Sequence, residues 1–339
     1  MDLYLHIGMN KSASTAIQDF FSANRDRLLA EHSVLWPRTG LGHGGRGGNS
    51  HYAISEALGF TNDPRFFTLD KARIGTLITD LRSEFKAARP RAAVMSSEFF
   101  VLRRDPERVR LFFGRHNPRI VIYLRRHDAW LGSLFAQAIK SVPNPKWDSN
   151  FESFLAFQKK TRNQHLSYLE LVNAWAKVFG DDRIELRPYR EELPPSAVIA
   201  DFLSLLGVEK AQGLRFPTMP SNASPSANTL SIVDRLQRSG LPDRERNRAV
   251  ARVLEHDDAR FPAFEIDSRT RAAVLAGNLA DYGVLSERFL GGRALFDFRP
   301  VDPDPQQGHS PLPDPVLTGD VSRLLSAALG KQEVARLFG

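Results

Sequence analysis

The sequence predicts an α/β protein of three layers, α/β/α, with a central parallel sheet and a helical C-terminal part. Three observations carry that expectation. Short apolar runs alternate with stretches of helical periodicity up to about residue 208, and such alternation builds a parallel sheet covered on both faces. The first run leads directly into a small turn and a helix, the strand–loop–helix order that holds anions. Beyond residue 209 the remaining apolar periodicity is helical.

The elements follow in order. Residues 3–7 form a short buried strand. Ile17, Phe20, Phe21, Leu28 and Leu29 then repeat at helical spacing. Residues 34–36 make an edge segment before Pro37. The stretch 40–49 holds six glycines and reads either as a loop that closes over a ligand or as a plain connection. A helix over 69–88 precedes a second buried strand, 92–97, which ends at Glu98. A third strand, 119–124, runs into Arg125-Arg126-His127-Asp128 and a helix to about 141. Two helices fill 151–179, a further strand covers 183–187, and a helix from Val198 is stopped by Gly207. Helices resume at about 228–239, 243–254 and 267–280. Residues 298–315 contain six prolines and read as an extended linker. Residues 316–339 form one amphipathic tail helix that docks on the body or on a partner subunit. One domain is expected over 1–297, with its α/β core at 3–208 and a helical remainder at 209–297.

Composition narrows the function classes. With 42% hydrophobic and 25% charged residues among 339, the chain is an ordinary globular protein. The absence of cysteine excludes disulfide scaffolds, thiolate metal sites and thiol catalysis. Lys+Arg number 46 against 39 Asp+Glu, a net charge of +7 that suits an anionic partner without naming it. Only 10 of the basic residues are lysine, so planar guanidinium forks for phosphate, sulfate or carboxylate dominate. No charged leader precedes a long apolar run, and no stretch nears the ~18 apolar residues of a membrane span. A cytoplasmic location is the resulting expectation.

The chemistry is expected in the first loop, Gly8-Met9-Asn10-Lys11-Ser12-Ala13-Ser14-Thr15. Unpaired amides and the positive end of the helix dipole face an anion there. Lys11 adds a full charge, and Ser12, Ser14 and Thr15 add hydroxyls. A triphosphate-binding loop needs a Gly-Lys-Ser/Thr run after Gly and four residues. Here Lys11 comes three residues after Gly8, and no strand ends in an aspartate for magnesium, which weakens a nucleotide kinase. Basic residues are scattered among acids, which weakens a nucleic-acid binder.

The run Leu5-His6-Ile7-Gly8-Met9-Asn10-Lys11-Ser12-Ala13-Ser14-Thr15-Ala16-Ile17-Gln18 resembles the 5′-phosphosulfate loop of sulfotransferases that use PAPS (3′-phosphoadenosine 5′-phosphosulfate). Bacterial members read His-Ile-Gly-x-Pro-Lys-Thr-Gly-Thr-Thr-x-x-Gln. Asn10 stands for Pro, Ser12 for Thr and Ala13 for Gly. Arg125 after its strand, with Ser133 eight residues on, resembles the family's 3′-phosphate pair, and His127 stands where the family has Pro. Glu185-Leu186-Arg187-Pro188-Tyr189-Arg190-Glu191 and the helix with Phe202-Leu203 resemble a third family element.

The resemblance implies a P-loop NTPase-like sulfotransferase fold, PAPS as donor, no metal, and a hydroxyl or amine acceptor on a carbohydrate or glycolipid. It implies that Gly8, Asn10, Lys11, Ser12, Ala13, Ser14 and Thr15 hold the 5′-phosphosulfate, while Arg125 and Ser133 hold the 3′-phosphate. Lys11 would stabilise the leaving phosphate. Glu98, at the carboxyl edge of the sheet, is the first choice of general base, and His51 the second. His6 packs under the loop, His127 replaces a turn proline, and Trp130 is core. Arg187 and Tyr189 face the ligands or close the sheet edge. Arg46, Arg103, Arg104 and Lys146 are candidates for an acceptor groove. Ala13 and Asn10 leave a non-catalytic nucleotide-binding relative open, and the tail leaves a homo-oligomer open.

Overall fold

The computed structural model describes residues 1–42, 48–61, 68–102, 105–114, 116–161, 166–209, 211–217, 225–258, 260–297 and 311–339. The first half of the chain runs β1 (Asp2–His6), α1 (Ser14–Ala23), α2 (Arg25–His32), β2 (Val34–Leu35), α3 (Tyr52–Ala57), α4 (Lys71–Ala88), β3 (Ala92–Ser96), a 3₁₀ turn (Glu98–Leu102), α5 (Glu107–Phe113), β4 (Arg119–Arg125), α6 (His127–Ser141) and α7 (Phe151–Lys160). It continues with α8 (Tyr168–Phe179), β5 (Ile184–Tyr189), α9 (Pro195–Leu205), α10 (Ala227–Gln237), α11 (Asp243–Glu255), α12 (Ser268–Ala276), α13 (Leu279–Leu290), α14 (Gly319–Leu329) and α15 (Lys331–Phe338). These elements divide into two compact units, residues 1–126, 164–221 and 278–297 in the first and 127–163, 222–277 and 298–339 in the second.

The first unit holds all five strands with α1–α5, α8, α9 and α13. The strands form one sheet in the order β2-β3-β1-β4-β5, with every pairing parallel. Burial explains the strands: all five residues of β3 are buried, as are residues 120–124 of β4. Apolar runs buried on both faces are what parallel strands require. On one face, α1 and α9 pack Phe20, Phe21, Ile199 and Phe202 against Tyr4, Val94, Val121 and Tyr123. Each large aromatic so buried contributes roughly 2–3 kcal/mol. Helix α8 packs against β4 and β5, and α13 against α8 and β5. β1 therefore lies at the centre, and the chain crosses from β3 to β4 on its other side. That reversal opens the carboxyl edge between β1 and β4, where α/β sheets bind ligands.

Local caps show why several helices begin where they do. Ser167 caps α8 by accepting from Glu170 N, and Asp70 caps α4 by accepting from Arg73 N. Helix α1 differs: its N-cap is Ala13, with no side-chain cap.

The second unit is helical, made of α6, α7, α10–α12, α14 and α15. Phe135 packs on Phe151, Phe154 and Phe264 at ring separations of 5.1–5.8 Å. The tail differs from the single helix expected at 316–339. Gly330, at φ +87°, breaks it into α14 and α15. Its apolar side, Val321, Leu325 and Val334, is buried within its own unit, where α14 packs on α11. Asn228 fastens the approach to it by hydrogen bonds to Val316 O at 3.0 Å and from Val316 N at 2.7 Å.

Two other expectations change. The first helix stops at Asn24, whose Nδ2 donates to Phe20 O at 2.8 Å and to Arg215 O at 2.9 Å, and α2 starts anew. The helix expected at 267–280 ends earlier, as α12 at Ala276, and α13 (Leu279–Leu290) follows it as a helix that was not expected. Of the glycine-rich stretch, residues 43–47 lie outside the described residues, as do 298–310 of the proline-rich linker. Among the described residues no helix is long and apolar enough to cross a membrane.

Candidate functional site

The 8–15 loop is built from backbone that side chains normally avoid. Gly8, Lys11 and Ala13 all have positive φ, at 67°, 67° and 63°. A left-handed conformation costs a non-glycine residue roughly 1–2 kcal/mol, so the surrounding contacts must enforce it. Ser12 N donates to Met9 O at 3.2 Å, and Ser14 Oγ donates to the same carbonyl at 3.3 Å. Met9 itself is buried and anchors the turn. Gly8 has no substitute here: a Cβ on it would lie 2.9 Å from Glu98 Cα. Ala13, by contrast, takes the αL conformation with its Cβ in place.

The turn leaves donors uncommitted. The first amides of a helix have no intrahelical partner, and no side chain caps α1. Ser12 is fully buried, and its hydroxyl has no hydrogen-bond partner among the described residues. An unpaired buried hydroxyl costs about 1–3 kcal/mol unless something else completes it. Asn10, Lys11 and Ala13 are half-buried and Thr15 is exposed. Ser14, turned onto Met9 O, helps to close the loop.

Glu98 opens the 3₁₀ turn after β3 and lies directly against Gly8. Burial pushes its carboxyl above the ordinary range, while the Lys11 charge and a hydrogen bond from Gln18 pull it back. Gln18 Nε2 also donates to Ser96 Oγ at 3.1 Å, and His6 Nδ1 meets that hydroxyl at 2.8 Å. His6 is fully buried, with its ring edge-on to Tyr123 and Phe202, and burial lowers its pKa to about 3. It is a neutral strut beneath the loop.

His51 has a different place from the one expected of a base. It is fully buried against Trp36, its Nδ1 accepts from Ser96 N at 3.1 Å, and its Nε2 donates to Pro37 O at 3.1 Å. Burial lowers its pKa to about 3. With both nitrogens holding backbone, the ring has none left to receive a proton from a substrate.

Arg125, at the end of β4, reaches back to the loop. Its Nη1 donates to Lys11 O at 3.1 Å and its Nε to Glu191 Oε1 at 2.5 Å. The guanidinium carbon sits 5.8 Å from the Tyr189 ring centroid, and the Arg125 carbonyl accepts from Tyr168 OH at 2.7 Å. The structure thus brings Gly8, Lys11, Glu98 and Arg125 together on the carboxyl edge of the sheet. Ser133 is half-buried on α6, in the second unit.

Other candidates have other settings. Arg187 pairs with Asp201 at 3.4 Å, and Tyr123 OH donates to that carboxylate at 2.6 Å. They line a cavity of about 280 Å³ together with Tyr189, Arg190 and Arg293, and no residue of the 8–15 loop borders it. His127 and Trp130 are buried on α6, and Lys146 is exposed. Arg46, Arg103 and Arg104 lie outside the described residues. Sequence reasoning passed over Gln18 and Glu191 as contributors, although both stand inside the runs that carry the resemblance. Only the fold shows what each touches.

No family model matches the chain. It is 29% identical over 170 residues to an uncharacterized protein of Archaeoglobus fulgidus, a match spanning 48% of this chain and 44% of that protein's length. In fold it is similar to the crystal structure of a sulfotransferase from Alicyclobacillus acidocaldarius, with TM-score 0.41, 17% identity, and coverage of 77% of this chain and 98% of that one.

Proposed function

We propose that the chain is a sulfotransferase that uses PAPS to sulfate a hydroxyl or amine of a carbohydrate or glycolipid. The observation that carries this reading is the junction of two anion-binding groups: Arg125 is bonded to the carbonyl of Lys11 itself, beside an uncapped helix start and the unpartnered Ser12 hydroxyl. Such a pair suits a nucleotide with anionic groups at both ends. The acceptor class rests on the family resemblance alone.

PAPS, when bound, supplies the sulfuryl group and leaves as adenosine 3′,5′-bisphosphate. Lys11, the α1 amides and the Ser12 hydroxyl hold the 5′ end, and Lys11 balances the charge that grows on the leaving phosphate. Arg125 holds the 3′-phosphate, and Ser133 enters this reading from its spacing after Arg125 alone. Glu98 accepts the proton of the attacking hydroxyl at its carboxylate. Its buried setting raises its basicity, and the Lys11 charge pulls in the opposite direction, favouring the carboxylate.

Thermal shift with adenosine 3′,5′-bisphosphate, Mg-ATP and duplex DNA tests the cofactor. Stabilisation by the bisphosphate without magnesium is expected. Lys11→Ala and Arg125→Ala should each weaken it ~10- to 100-fold, the loss of one charge-assisted contact. A response to Mg-ATP alone, or to DNA alone, would overturn the reading. Transfer of radiolabelled sulfate from PAPS to a glycan and glycolipid panel tests the reaction. Bisphosphate binding with no transfer to any acceptor would leave a binding protein.

A further inference from the structure

We propose that Glu191 is a built-in competitor for the Arg125 subsite, and that its carboxylate yields the Nε side of the guanidinium fork to a ligand's 3′-phosphate and returns as the bisphosphate product departs. This inference rests on the proposed function and concerns how tightly that site holds its product.

Four observations support it. Arg125 is 17% exposed, and two of its five N–H donors are engaged, one on Nη1 by Lys11 O and the Nε one by Glu191 Oε1 at 2.5 Å, which closes the Nε side of the fork. The bond to Lys11 O belongs to the loop backbone and fixes where the guanidinium stands. The bond to Glu191 joins two side chains, and the carboxylate is 42% exposed, so it can swing into water. Glu191 follows the end of β5, and among the described residues its carboxylate has no other hydrogen-bond or ion-pair partner to keep it there.

A guanidinium prefers a dianionic phosphate to a carboxylate, because the phosphate offers more charge and a matching pair of oxygens. A 3′-phosphate can therefore displace Glu191, whereas weaker anions compete with a carboxylate already in place. The cost of displacement falls on ligand affinity, and it falls equally on donor and product because both carry the 3′-phosphate. An enzyme limited by product release gains from this, since a returning carboxylate speeds departure.

The test is calorimetric titration of the full chain and its Glu191→Gln variant with adenosine 3′,5′-bisphosphate and with AMP, which lacks the 3′-phosphate. Glu192→Gln is the control: it removes the same charge from the neighbouring exposed position without touching Arg125. Glu191→Gln should bind the bisphosphate about fivefold more tightly. AMP should change less than twofold, and Glu192→Gln should change neither ligand beyond twofold. Unchanged or weaker bisphosphate binding in Glu191→Gln would overturn the inference while leaving the cofactor assignment standing. An equal gain for AMP, or for Glu192→Gln, would overturn it in favour of general electrostatics. No bisphosphate binding by either the unaltered chain or Glu191→Gln would overturn the proposed function, and this inference with it.

Discussion

The two ends of the candidate site are made of different materials. The end after β1 is backbone: a glycine pressed on Glu98, two further residues held at positive φ, and a buried serine. The end at β4 and β5 is side chain: Arg125 bridging to the exposed Glu191 over the Tyr189 ring. The difference teaches where rigidity is stored. A buried, strained turn is preformed and can orient a reacting group. An exposed ion pair is worth at most about 1 kcal/mol and rearranges readily. Chemistry belongs on the first and exchange on the second.

The hardest test of that division is Glu98→Gln. If chemistry resides on the backbone-built side, sulfate transfer should fall ~10²- to 10⁴-fold, the usual worth of a general base, with bisphosphate affinity unchanged. The variant also carries a stability signature. Because burial raises the Glu98 carboxyl in the folded chain, the fold binds that proton more tightly than the unfolded chain does. The unaltered chain should therefore lose stability as pH rises from the ordinary carboxylate value through the raised one. Glu98→Gln should be the more stable protein above that window and lose its advantage below it. Melting temperatures across pH measure this; a difference independent of pH would contradict the burial argument.

Next comes Gly8→Ala, which attacks the preformed end itself. A Cβ at positive φ and 2.9 Å from Glu98 Cα should cost about 2–4 kcal/mol of stability and remove bisphosphate binding. Denaturant melts and titration of the folded fraction check both. A Gly8→Ala chain of normal stability would show the turn to be softer than its contacts indicate.

The smallest effect is expected from Ala13→Gly. It relieves the left-handed strain but frees the unfolded chain, for a net gain of about 0.5–1 kcal/mol. In a chain of this size that is a rise of ~1–3 °C in melting temperature. A loss of stability would mean the Ala13 methyl packs better than its φ suggests.

These contrasts also explain what the sequence could and could not disclose. Local rules reached the alternating strands and helices, because buried parallel strands and amphipathic helices write their period into the chain. The 8–15 loop was readable because small residues and Lys11 directly follow a strand. Residues whose role depends on distant partners were not. His51 looks catalytic after a glycine-rich stretch, yet Trp36, Pro37 and Ser96 turn it into a brace. Asn24 ends α1 through Arg215, 191 residues away in sequence. Glu191 is one acid among several until Arg125 is placed beside it. The break in the tail at Gly330 was within reach of local rules, since a glycine inside a helical pattern is a stop signal.

The hydrogen bond from Arg125 Nη1 to Lys11 O makes the two ends answer to each other. A pull on the guanidinium is a pull on the strained peptide that carries Lys11. Thermodynamic reciprocity then requires that whatever the 3′-phosphate does for binding at the loop, the loop's anion does in equal measure for the 3′-phosphate. Affinities of half-ligands, AMP for one end and a bare 3′-phosphate for the other, will not combine as independent terms. Their shortfall or excess measures the tension carried by that one bond.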